Sequence, residues 1–231
     1  MKVIARIRSD FPEKFGIPRQ SGLVDALRAL VVLEPEYRNP AVFRGLEGYS
    51  YIWLLWQFSE TVRDTWSPTV HPPRLGGSRR MGVFATRSPF RPNPIGLSSV
   101  RLLEIRTDPV LGPVLLVSGA DLMDQTPVYD IKPYLPYTDS HPEAAGGFAG
   151  EHMDYGLKVK IPDELLARIS PDKREALSGI LSQDPRPAYQ DDPERVYGVA
   201  FAGQNIRFRV REGVLTVCGV EEYERKGETR E

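Results

Sequence analysis

The apolar residues of this chain fall in short runs of strand length, separated by loops rich in proline, glycine and polar residues. Residues 3–8 (VIARIR) read as an opening strand, and residues 10–20 as a loop punctuated by Pro12, Gly16 and Pro18. Residues 23–33 start in a helical pattern and finish as a β-rich run, whose latter part is read as a strand. Asn39, Pro40 and Gly48 carry the cap, first-turn and stop signals of a short helix. Residues 50–58 (SYIWLLWQF) are bulky and apolar, which fits a strand buried on both faces or a strand of a closed barrel, with Trp53 and Trp56 in the core. Residues 81–86, 96–106 and 113–119 read as further strands. Residues 136–153 are poor in large apolar side chains and mark a boundary between a domain at 1–140 and a smaller one at 155–231. Past it, residues 162–181 form two short helical segments broken at Pro171. Residues 196–202, 205–211 and 214–220 form three strands with tight turns at Gly203-Gln204 and Glu212-Gly213. The class is a β-dominated α+β fold, an antiparallel sheet or barrel rather than a doubly wound one, because βαβ spacing is missing.

Charge adds a second pattern to this one. The chain has 231 residues and a formal net charge of −1, yet no Asp or Glu lies between Trp66 and Leu103. That sector holds Arg74, Arg79, Arg80, Arg87, Arg91 and Arg101, and its prolines and glycines predict an ordered loop over most of residues 68–94. One basic sector on a near-neutral chain points to a phosphate or polyanion partner. The apolar and charged fractions, 41% and 26%, are those of an ordinary globular protein. Charges in the first 15 residues argue against an export signal and no apolar run reaches bilayer length, so a cytoplasmic protein with no membrane association is expected. One cysteine, Cys218, excludes an internal disulfide, and three scattered histidines give no metal site.

The common phosphate-loop, dinucleotide, zinc-protease and serine-hydrolase signatures are absent. Two polar segments remain, residues 85–96 (ATRSPFRPNPIG) and residues 121–136 (DLMDQTPVYDIKPYLP). Arg87 and Arg91 can hold phosphate or carboxylate through paired N–H donors. Asn93, set between two prolines, can donate and accept at once. Asp124 and Asp130 are carboxylates beside Lys132 and Tyr134, a grouping that can orient or deprotonate an amine-like nitrogen. Asp124, Gln125, Thr126 and Pro127 are equally the residues of a plain turn.

These segments, with the PRQ of residues 18–20, the HPPRLGG of residues 71–77 and the QDPRPAY of residues 183–189, resemble the TsaA-like family, also called TrmO, over nearly the whole chain. The resemblance implies an S-adenosylmethionine-dependent methyltransferase acting on N6 of threonylcarbamoyladenosine, at position 37 beside the anticodon of threonine tRNA. It also implies a single-sheet antiparallel β-barrel of non-Rossmann type with a smaller C-terminal domain, and a homodimer. Carried over residue by residue, Pro18, Arg19, Gln20, Tyr51, Ile52, Arg87, Leu97, Asp124, Gln125, Thr126 and Pro127 would line the cofactor site. Asp124, Asp130, Asn93, Lys132 and Tyr134 are the candidates for handling the base, and Arg74, Arg79, Arg80 and Arg91 for contacting RNA. Several relatives have His where this chain has Tyr51, a change that a backbone contact survives and an imidazole contact does not. The competing reading is a non-catalytic RNA-binding module. A small-molecule hydrolase has no nucleophile behind it.

Overall fold

The computed structural model describes residues 1–72, 80–150, 156–187 and 192–224. Arg74, Arg79 and the last two residues of QDPRPAY lie outside them. Along the first part of the chain run β1 (Ala5–Ser9), β2 (Arg28–Leu33), β3 (Tyr51–Gln57), β4 (Thr69–Val70), β5 (Met81–Gly82), β6 (Ile95–Asp108), β7 (Gly112–Ser118) and β8 (Pro127–Pro133). Six of these pair in the order β1-β2-β7-β6-β3-β8, every pairing antiparallel. β8 returns to β1 through Ala5↔Val128 and Arg6↔Pro127, which closes the barrel.

The pleat sends alternate side chains to opposite faces, so a strand of a closed barrel can be apolar throughout and still face two environments. In β3 the side chains of Ile52, Leu54 and Trp56 are buried in the core, and Tyr51, Trp53, Leu55 and Gln57 face outward. Trp53 is therefore not the core residue expected of it. Its ring is half-buried on the outer surface, and its Nε1 donates to Asp139 Oδ2 at 2.8 Å. Asp139 also accepts from the Leu135 amide at 2.9 Å, and these two donors hold its carboxyl below the ordinary 3.8. A carboxyl with a lowered folded-state pKa contributes stability above its unfolded pKa and loses it as pH falls through the folded one. Asp139→Asn should therefore melt below wild type at neutral pH, with the gap closing as the pH drops under 3.8. Thermal melts across that range check it, and a gap that does not depend on pH would refute it.

The helix read over residues 39–48 is instead two short 3-10 turns, Pro40–Phe43 and Leu46–Gly48. Asn39 Oδ1 does cap the first, accepting from the Ala41 amide at 3.0 Å. Between the two turns Gly45 takes φ 87°, where only glycine is unstrained, and this interrupts the helix. The strand read over residues 81–86 covers only β5, because a 3-10 turn at Val83–Ala85 follows it directly.

The rest of the chain carries α1 (Pro136–Asp139), α2 (Gly147–Gly150), β9 (Lys158–Lys160), α3 (Asp163–Leu166), α4 (Arg174–Ser182), β10 (Tyr197–Phe201), β11 (Gln204–Arg211) and β12 (Val214–Glu222). The last three strands form a meander, and β9 adds parallel to β12, a pairing the sequence did not suggest. The turn between β10 and β11 is Ala202-Gly203, one residue earlier than expected. Leu177, Ile180 and Leu181 of α4 pack with Val199, Phe208 and Leu215 of this sheet. Phe11, Val24 and Leu27, from the connection between β1 and β2, belong to the same apolar cluster, with Phe11 5.3 Å from Phe201. Lys173 Nζ also meets Asp10 Oδ2 at 2.6 Å. The β1–β2 connection, which carries the PRQ motif, is thus held by the barrel at its ends and by the C-terminal sheet in its middle.

Candidate functional site

At the end of β1 the chain is crossed by the turn that leads into β8. The amides of Asp124 and Gln125 donate to the carbonyls of Phe11 and Ile7, each at 2.8 Å, and the Ile7 amide donates to Thr126 O at 3.1 Å. Gln125 sits at φ 65°, a left-handed conformation uncommon outside glycine and held here by that ladder. Asp124 Oδ1 accepts from the Ser9 amide at 3.2 Å, its Oδ2 accepts from Gln125 Nε2 at 3.1 Å, and Arg8 stands 4.0 Å away. Thr126 is buried, with its hydroxyl donating to Met123 O at 2.7 Å. The turn reading and the site reading of residues 124–127 are therefore compatible: a rigid turn presents one half-exposed carboxylate at the barrel rim.

At the same end of the barrel, Arg87 Nη1 donates to Gln20 Oε1, which joins the basic loop to the PRQ segment. Pro18 is buried and Arg19 exposed. Both line a cleft of about 270 Å³ whose other wall is Gln183, Asp184, Pro185, Arg186 and Pro187. There Arg186 Nε meets Asp184 Oδ1 at 2.9 Å in a buried ion pair, so the start of the QDPRPAY motif faces the PRQ segment. Behind Arg87, Trp56 Nε1 donates to Ser98 Oγ at 3.0 Å and Ser98 Oγ donates to Asp121 Oδ1 at 2.7 Å. Burial raises the Asp121 pKa, opposed by the Ser98 hydroxyl, the Ser21 amide and the charge of Arg87.

The remaining residues lie on the outer face of β3, β6 and β8. Tyr51 pairs with Arg101, Leu55 with Leu97 and with Asp130, and Trp53 with Lys132. Lys132 Nζ and Asp130 Oδ2 form an ion pair at 3.0 Å, and the Tyr134 ring lies 6.2 Å from Tyr51 and 5.6 Å from Trp53. Ile52 points the other way, fully buried in the barrel core, which leaves only its backbone for any ligand. The sequence candidates thus fall into two groups. Gln20, Arg87 and Asp124 stand at the loop rim, and Tyr51, Leu97, Asp130, Lys132 and Tyr134 on the strand face.

In the basic loop, Arg80 is exposed, while Arg91 Nη1 donates to Thr86 O at 3.1 Å and partly braces the loop. Asn93 is exposed, its carbonyl accepting from the Ile95 amide at 2.7 Å. Sequence reasoning passed over the aromatic rings here. Trp66 and Phe84, 53% and 75% exposed, lie nearly parallel at 6.4 Å, and the Arg63 guanidinium sits 4.3 Å over the Phe90 ring. It also passed over Asp121, although that residue opens the polar segment from which Asp124 and Asp130 were taken. Among the described residues there is no group of three or more metal-ligating side chains, and no helix is long and apolar enough to cross a membrane.

Comparison with known proteins adds an independent line. The N-terminal domain of tRNA-methyltransferase O matches residues 6–140, and the TrmO C-terminal domain matches residues 155–223. A tRNA (adenine(37)-N6)-methyltransferase of Escherichia coli K12 is 42% identical over 228 residues, 94% of this chain and 96% of its own. A Pseudomonas aeruginosa protein assigned as an S-adenosylmethionine-dependent methyltransferase, RcsF, is 43% identical over 204 residues, covering 85% of this chain and 86% of its own. The crystal structure of TrmO from Pseudomonas aeruginosa superposes with a TM-score of 0.75 at 35% identity, over 95% of this chain and 98% of that one.

Proposed function

The chain belongs to the tRNA-methyltransferase O family, and we propose that it methylates N6 of threonylcarbamoyladenosine at position 37 of threonine tRNA, using S-adenosylmethionine. The observation that carries this reading is the meeting of Gln20 and Arg87, 67 residues apart in sequence, at the rim that the Asp124 turn completes. The side chains there fit a zwitterionic, hydroxyl-bearing cofactor. Arg87 offers a fork of donors to a carboxylate, Asp124 an acceptor to an ammonium or hydroxyl, and Gln20 both kinds of group. When bound, S-adenosylmethionine supplies a methyl group on a sulfonium centre. The protein's part is then to hold the acceptor nitrogen in line at near-attack distance and to take up the N6 proton that is displaced. Asp124 or Asp130 is the carboxylate we assign to that proton, with Asn93, Lys132 and Tyr134 orienting the base or its threonyl carboxylate. We read residues 1–140 as the catalytic domain and residues 155–231 as a smaller one. The working unit in this reading is a cytoplasmic homodimer.

The RNA face is assigned to Arg80 and Arg91, together with the rings of Trp66, Phe84 and Phe90. Exposed aromatics among arginines suit unpaired bases of an anticodon loop, since rings stack bases and guanidiniums neutralise phosphates. The two kinds of contact predict different variants. Arg80→Ala should lower the slope of log affinity against log salt by about 1. Trp66→Ala should leave that slope unchanged and weaken tRNA binding by about tenfold, the lower range of one base stack. Filter binding of threonine tRNA at several salt concentrations separates them. The function itself is tested by nucleoside mass spectrometry on threonine tRNA with and without the threonylcarbamoyl group. Methyl transfer is expected on the modified tRNA only, and equal transfer to both would refute the substrate assignment.

A further inference from the structure

We propose that Phe11 is a positioning residue: it fastens the Asp124 turn to the C-terminal sheet, so that this sheet sets where the Asp124 carboxylate stands. The inference rests on the cofactor reading given above, and it concerns a residue to which that reading gives no role. Ser9, Asp10 and Phe11, where β1 runs out into the β1–β2 connection, are bonded on two sides. Toward the barrel, the Asp124 amide donates to the Phe11 carbonyl at 2.8 Å. The Ser9 amide donates to Asp124 Oδ1 at 3.2 Å, and the Ser9 hydroxyl donates to the Leu122 carbonyl at 2.8 Å. Toward the C-terminal sheet, the Phe11 ring is 1% exposed and lies 5.3 Å from the Phe201 ring, in the cluster that α4 and this sheet build. The Asp10 carbonyl accepts from the Ala202 amide at 2.9 Å, and the Asp10 carboxylate meets Lys173 Nζ at 2.6 Å.

Phe11 itself spans the junction. Its side chain is packed in the C-terminal cluster, and its carbonyl holds the turn at the barrel rim. A ring set in a close-packed core cannot swing without opening a void, so the carbonyl has little freedom of its own. The run between the two sides is short and braced, because the Phe11 amide donates back to Ser9 Oγ at 3.3 Å and Ser9 pairs with Ala29 of β2. The turn cannot absorb a shift either, since Gln125 is already held at φ 65° by its bond to Ile7. A displacement of the C-terminal sheet is therefore passed through residues 9–11 to the Asp124 carboxylate. Phe11 is buried, so it acts on the cofactor through Asp124 and not by contact.

The test is isothermal titration of the intact protein with S-adenosylmethionine, at a temperature where every variant is folded. Phe11→Leu keeps an apolar side chain and gives up the ring contact with Phe201. It is expected to bind the cofactor roughly tenfold more weakly than wild type, while threonine tRNA affinity by filter binding stays at the wild-type value. Val210→Ala is the control for loosening alone, because Val210 is buried in the same cluster but on the interior strand β11. It should lower the melting temperature and leave cofactor affinity unchanged. Equal cofactor losses in the two variants would overturn the proposal, and so would a Phe11→Leu protein that binds the cofactor like wild type. Where Phe11→Leu does not fold, Lys173→Met replaces it. Losing the pair with Asp10 is expected to weaken cofactor binding severalfold, Asp10→Asn should do the same, and the double variant should lose no more than either alone, because both act on one contact. Wild-type cofactor affinity in Lys173→Met would count against the proposal. Asp124→Ala separates this from the reading underneath. If Asp124→Ala binds the cofactor like wild type, the role of Asp124 fails; if it loses affinity and Phe11→Leu does not, the positioning role alone is refuted.

Discussion

Arg87→Ala is expected to raise the dissociation constant for S-adenosylmethionine by about a hundredfold and to leave the melting temperature near that of wild type. The two halves of this expectation rest on the same fact. Arg87 is exposed and belongs to no apolar cluster, so truncating it opens no cavity, and the partly buried Asp121 carboxyl, which loses the charge of Arg87, keeps its hydrogen bond from Ser98. Its hydrogen bond to the Gln20 side chain is one that solvent can replace. What is lost is a forked donor aimed at the rim where Asp124 and Gln20 also stand. A paired, charge-assisted contact to a carboxylate is worth about 3 kcal/mol, which corresponds to roughly a hundredfold in affinity. Arg87→Lys keeps the charge and loses the fork, so it should fall between the two. Calorimetry on the three proteins, with thermal melts as control, decides the matter. A cofactor affinity for Arg87→Ala within about twofold of wild type would remove Arg87 from the site.

How the sequence maps onto this rim follows from which interactions are local. Five of the six barrel strands and the three of the C-terminal meander were legible, because alternation and bulky apolar runs are written in consecutive residues, whereas β8 was not, since its Asp130, Lys132 and Pro133 read as part of a polar segment. The closure of the barrel depends on β8 meeting β1, a pairing of Ala5 with Val128 that no local pattern encodes. β9 was missed for a related reason: its sequence, Lys-Val-Lys, is too short and polar to signal a strand, and only the parallel neighbour β12 makes it one. Within the site, the motif residues were legible one at a time. That Gln20 meets Arg87 was not, nor that Ile52 turns into the core while its neighbour Tyr51 turns out, since the face of a strand is fixed by closure. Asp121, Asp124 and Asp130 look alike in a sequence. They differ only once folding puts one beside the core, one on a turn and one on the outer face.

Gly96→Ala is expected to be the most destabilising single-methyl change in the barrel. Gly96 on β6 stands directly across from Trp56 on β3, and a Cβ there would lie 2.2 Å from the indole Cε2 and 2.4 Å from Cζ2. The ring has little room to give. It is 8% exposed, packed edge-on at 4.3 Å against Phe58, and tied through Nε1 to Ser98 at 3.0 Å. Overpacking of this kind costs about 1–3 kcal/mol, or roughly 3–10 °C in melting temperature for a chain of this size. Combining Gly96→Ala with Trp56→Phe tests whether the clash is the cause. The smaller ring makes room for the methyl and should recover part of the melting temperature. Recovery should stop short of wild type, because phenylalanine has no N–H to donate to Ser98. A double variant that melts no higher than Gly96→Ala alone would show that the indole is not the obstacle.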